Sequence, residues 1–117
     1  MTTLETLNNL VTATAEAITA NKTAVKAAKA AAKALDDRYE TAYELWYESI
    51  LPEETDPTYA AAKAAEDALR TNMEGLEKLR DEMNYQVDEL EAREEDLKNQ
   101  LDNAKDTMKK YQRLIAA

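Results

Sequence analysis

The chain is 117 residues long, with 24 Asp and Glu against 15 Lys and Arg, one Gly, two Pro and no Cys, His or Phe. That length suits one domain. Without Cys or His there is no disulfide, no thiolate nucleophile, no zinc–thiolate cluster and no ordinary general base near neutral pH. A single Gly leaves no room for a phosphate-cradling glycine loop.

Of the 44% hydrophobic residues, Ala supplies 22, so the larger apolar side chains are few and mostly Leu. Ala, Leu, Glu, Lys, Gln, Arg and Met dominate, and these are the strong helix formers. The start, Met1-Thr2-Thr3-Leu4-Glu5, has neither the basic nor the apolar region of a signal peptide. No stretch is apolar enough for a transmembrane helix. A soluble protein of the cytoplasm or of a virion is expected.

A first helix is predicted over residues 3–50. Stepping by seven from Leu4 gives Val11, Ile18, Val25, Ala32, Tyr39 and Trp46, all apolar or aromatic. The row three residues on is Leu7, Thr14, Asn21, Ala28, Leu35, Ala42 and Ser49, which is smaller and more polar. A turn follows at 51–57, where the two prolines fall in Leu51-Pro52-Glu53-Glu54-Thr55-Asp56-Pro57. Proline cannot continue a helix interior, and Asp56-Pro57 reads as an N-cap followed by Pro at the first helical position.

A second helix is predicted over 57–115. Its rows are Leu69, Leu76, Met83, Leu90, Leu97, Ala104 and Tyr111, and Met73, Arg80, Val87, Glu94, Leu101, Met108 and Ile115. Arg80 and Glu94 occupy seam positions where Leu would pack best. A polar seam residue can set register, or it lies at a solvated edge. The weak points Thr19–Thr23 and Asn72–Gly75 would allow a break into a four-helix bundle. The heptad phase runs through both, which favours unbroken helices. The expected fold is therefore all-α: a long antiparallel two-helix coiled-coil hairpin, one domain over 1–117, packed into an oligomer or larger assembly.

Charge suggests the register. Folding the chain about residue 54 sets residue i against roughly 108 − i, pairing Val11 with Leu97 and Ile18 with Leu90. Lys22, Lys26, Lys29 and Lys33 then lie level with an acid-rich stretch at 73–91. Opposed charge stripes of this kind select orientation rather than add much stability. Charge is also uneven along the chain: residues 36–67 carry a net −8 and residues 98–117 a net +3.

Such a hairpin buries one stripe of each helix and leaves apolar residues over. Candidate partner contacts are Tyr43 and Tyr47 near the turn, Leu79 and Tyr85 on the second helix, and the basic group Lys105, Lys109, Lys110 and Arg113. Acidic pairs such as Asp88-Glu89 have no His beside them for a di-metal bundle and no glycine loop for calcium. Hence no catalytic residue, metal or cofactor is expected, and no small-molecule substrate. The net charge of −9 argues against nucleic acid and membrane surfaces as partners. The leading expectation is a non-enzymatic structural or assembly protein that self-associates or packs onto a larger complex, with a phage or virion scaffold or internal component as its setting.

The chain also loosely resembles the WXG family of small secreted helical hairpins, which carry Trp-x-Gly at the turn. Trp46-Tyr47-Glu48 has the Trp without the Gly. Tyr85-Gln86-Val87-Asp88-Glu89 fits the family's Tyr-x-x-x-acid pattern, but inside the second helix instead of beyond it. That resemblance implies a secreted partner protein. A coiled-coil chaperone is the third class.

Overall fold

The structure, a computed structural model, describes residues 2–116. It consists of two helices, α1 (Thr3–Tyr47) and α2 (Tyr59–Ala116), packed against one another as an antiparallel hairpin. No strand occurs among the described residues.

The ends of the helices follow local hydrogen-bond chemistry. Thr2 Oγ1 accepts the Glu5 N–H at 3.1 Å, giving α1 the capping arrangement expected of Thr-x-x-Glu. At its other end α1 stops at Tyr47, three residues short of the predicted boundary. There the Ser49 N–H and hydroxyl both donate to the Trp46 carbonyl, at 3.1 and 2.6 Å. That tight closure uses the last helical acceptor just before Pro52 prevents continuation. On the α2 side, Asp56 Oδ1 accepts the Thr58 N–H at 2.8 Å and the Thr58 hydroxyl at 2.6 Å. The Tyr59 N–H closes on the Asp56 carbonyl at 3.0 Å. Asp56 is thus a cap, as its sequence position suggests, but Pro57 and Thr58 form a turn and regular helix begins at Tyr59.

Neither suspected weak point interrupts a helix. Thr19 and Thr23 donate their hydroxyls to the carbonyls of Ala15 and Thr19 and leave the helix intact. Gly75 has an ordinary negative φ within α2.

The hairpin divides into two compact units, one formed by residues up to Ala27 with those from Val87 on, the other by Ala28–Gln86. In the first, Ile18, Val25, Leu97 and Ala104 are buried, together with the polar Thr14 and Asn21. Leu4, Leu7, Val11, Val87, Leu90, Leu101 and Met108 are half-buried along the same rows. In the second unit Ala42, Met73 and Leu76 form a buried cluster with Leu35, Tyr39 and Trp46 packed against it. Ala32 is buried as well, and Leu69 and Met83 are half-buried.

Two expectations need correction. Ile115, assigned to the seam, is 59% exposed. It lies in the last turn of α2, where α1, beginning at Thr3, offers nothing opposite it. The register also differs. Asn21 reaches the carbonyl of Leu90, and Trp46 reaches the carboxylate of Glu66. The residue numbers joined by these two bonds sum to 111 and 112, and those of the Asp36–Arg80 pair to 116, all above 108. Leu90 is level with Asn21, where the sequence suggested Ile18. The offset arises at the corner. Leu51 and Ser49 share a concavity with Trp46, Tyr47 and Glu66, so the connecting segment lies beside the early turns of α2. Those early turns of α2 therefore run past the end of α1. A slip of three or four residues keeps both helices on the same seam, because the heptad repeats every 3.5 residues.

Candidate interaction surface

Among the described residues three polar side chains are buried, Thr14, Asn21 and Glu66, and each has a hydrogen-bond partner. Glu66 is 7% exposed and lies at the α1–α2 contact near the corner. Its Oε1 accepts the Trp46 indole N–H at 3.0 Å and also an Arg70 guanidinium N–H. Its Oε2 accepts from Lys63 Nζ at 2.9 Å. Lys63 first, then Arg70 and Trp46, hold the Glu66 carboxyl down at about 2, against the resistance of its burial. The same contacts raise Lys63 and Arg70 above their usual values. A buried carboxylate that accepts from three donors is far more acceptable than a lone one.

About four turns of α2 beyond Glu66, Arg80 is half-buried, with its guanidinium 4.4 Å from the centre of the Tyr39 ring. It bonds Asp81 at 3.3 Å and crosses to Asp36 of α1 at 3.4 Å. Partial burial works against its charge, and the bonds to Asp81 and Asp36 outweigh that. Arg80 thus stacks on an aromatic face while its head stays with carboxylates. Glu94, the other polar seam residue predicted, is half-buried in the first unit.

Asn21 is 7% exposed and donates Nδ2–H to the Leu90 carbonyl at 2.8 Å. It lies in the polar second row of α1 but was not singled out there as a register residue. Thr14, one heptad earlier, turns its hydroxyl to the Leu10 carbonyl at 2.8 Å. Glu66 was also missed, although one signal was available: it is seven residues before Met73, on the same row as Arg80.

The candidate contact residues lie outward. Tyr43, Tyr47, Leu79 and Tyr85 are exposed, as are Lys105, Lys109, Lys110 and Arg113. Tyr43 and Tyr47 come together: their rings stack 6.0 Å apart at 15°. Tyr43 also lies 6.3 Å from Tyr39 and 6.0 Å from Trp46, so a chain of rings leads outward from the seam. Tyr47 is 73% exposed and continues into exposed Ile50 and Leu51 in the connection. Glu40 and Glu44 share the Tyr43–Tyr47 face of α1 by their spacing, and Glu48 follows at once, all exposed. Here an aromatic pair is bordered by carboxylates.

Among the described residues no group of three or more Asp or Glu is placed to hold a metal ion. No described helix is long and apolar enough to cross a membrane. The fold defines an all-α helical hairpin. Beyond that class no family can be assigned: no protein-family model matches the chain, and no curated protein and no solved structure matches it.

Proposed function

We propose that this hairpin is a non-enzymatic structural module that works by self-association and contributes to a larger protein assembly, for which a virion scaffold or internal component is a fitting setting. The observation that carries the reading is the thinness of the core. No large side chain among the described residues is fully buried, while Leu10, Leu45, Tyr47, Ile50, Leu79, Tyr85, Leu114 and Ile115 are all at least half exposed. Apolar burial is the dominant favourable term in folding, and two helices alone leave much of it unused. Association supplies the missing burial.

Sedimentation equilibrium and thermal melts across a hundredfold range of concentration test the reading. The expected result is a mass that is a multiple of 13.1 kDa and a melting temperature that rises with concentration. A chain that stays monomeric, with a melt independent of concentration, overturns it.

A further inference from the structure

We infer that the acidic, aromatic surface at the corner binds the basic C-terminal turns of α2 from a second copy of the chain. This deepens the self-association reading and rests on it.

The receiving surface is unusually complete for an exposed helix face. Tyr43 and Tyr47 present stacked rings, and Glu40, Glu44 and Glu48 lie beside them. A cation set against an aromatic face is attracted by the ring, and a neighbouring carboxylate adds to that attraction. The protein already uses this combination internally, where Arg80 lies over Tyr39 and bonds Asp36 and Asp81. Exposed Ile50 and Leu51 extend the surface with apolar area, Ile50 being 90% exposed. The surrounding stretch, residues 36–67, carries a net −8. Its most buried acid, Glu66, is occupied by Lys63 and Arg70, so the charge that faces outward belongs to the others.

The end of α2 has the matching chemistry. Lys105, Lys109 and Arg113 recur every four residues along one face, with Lys110 beside them, and all four are exposed. Leu114 and Ile115, at 76% and 59% exposed, add an apolar tip for which α1 supplies no cover. A helix C-terminus accommodates one or two cations through its dipole. That does not account for Lys105 and Lys109, two and more turns before the end, nor for two large apolar residues left in water. A second copy accounts for both: cations against carboxylates and rings, Leu114 and Ile115 against Ile50 and Leu51. The partner is another copy because the chain itself carries both halves in complementary charge.

Two charge-reversed chains test the contact. One carries K105E, K109E and R113E; the other carries E40K, E44K and E48K. All six positions are exposed, and circular dichroism melts of each variant verify the fold. Each variant alone is expected to lose association, with the apparent dissociation constant raised about tenfold or more. Mixing the two at equal concentration is expected to restore it, because each surface of one variant then meets an opposite charge on the other. Y47S, which alters no charge, is expected to weaken wild-type association while leaving the melt of the dilute chain unchanged. If the wild type associates but both variants associate equally well and mixing adds nothing, the interface lies elsewhere and this inference alone falls. If the wild type is monomeric throughout, the self-association reading itself is overturned, and this contact with it.

Discussion

The two units of the hairpin solve the same packing problem with different chemistry. In the unit containing the N-terminal part of α1, the buried polar groups are neutral: the Thr14 hydroxyl, bonded to the Leu10 carbonyl, and the Asn21 amide, bonded to the Leu90 carbonyl of α2. In the unit containing the corner, the polar groups are ionic and set among aromatic rings: Glu66 with Trp46, Lys63 and Arg70, and Arg80 over Tyr39. A neutral seam amide fixes register at modest cost and does not respond to pH. A charged cluster ties the corner together more strongly, but only while its carboxylate is ionised. The lesson is that one heptad pattern can carry a pH-indifferent lock in one region and a pH-dependent one in another.

The largest effect should come from cutting the apolar seam in either region. Leu76→Ala and Leu97→Ala, both at positions only 6% exposed, should each cost about 2–3 kcal/mol in urea unfolding. Leu79→Ala, at a position half exposed, should cost less than about 0.5 kcal/mol. Equal losses at Leu79 and Leu76 would show that the seam assignment is wrong.

Acid should then separate the regions. Glu66 titrates at about 2 in the folded chain, against an ordinary value of 4.5. Its contribution to stability is therefore fully present above pH 4.5 and lost as pH falls toward 2. Trp46, the only tryptophan, reports on that site directly through its fluorescence. Glu66→Gln keeps an acceptor for the indole and removes the charge. Its unfolding midpoint should be lower than that of the wild type at pH 6, and the difference should vanish near pH 2. A difference that stays constant with pH would mean that the charge of Glu66 is immaterial.

Asn21 sharpens the other half of the contrast. Asn21→Ala should cost about 1 kcal/mol, independent of pH, through loss of one buried hydrogen bond. Asn21→Ile should recover that stability but loosen the register. Pulsed EPR distances between labels at Thr12 and Asn99 would then broaden, and an unchanged narrow distribution would remove Asn21 from its locking role. Smallest of all, Gly75→Ala should stabilise the corner region by about 0.5–1 kcal/mol. A methyl group there meets nothing within 4 Å and spares the helix the glycine's entropy, so a destabilised variant would show that the site is not open.

Legibility of the sequence tracks which property the 3.5-residue repeat can encode. The rows from Leu4 and Leu69 mark the stripes that the structure buries or half-buries, up to Tyr111, because burial depends only on which side of a helix a residue occupies. The companion row of α2, followed back seven residues from Met73, reaches Glu66. Its partners could not be read that way: Lys63 and Arg70 are neighbours on its own helix, but Trp46 meets it only across the hairpin. The outward position of Tyr43 and Tyr47 was legible from their place beside the seam, whereas their stacking needed coordinates.

The sequence by itself determined two helices, the corner between them and the stripe that each turns inward, since propensity, proline chemistry and heptad phase are all local properties. Tertiary structure alone decided which residues stand face to face. A slip of three or four residues moves every layer to a new partner yet leaves each apolar side chain on the same seam, so hydrophobic pattern cannot choose between registers. That choice falls to specific bonds such as those of Asn21 to Leu90 and Trp46 to Glu66, and to the path of the chain through Ser49–Thr58.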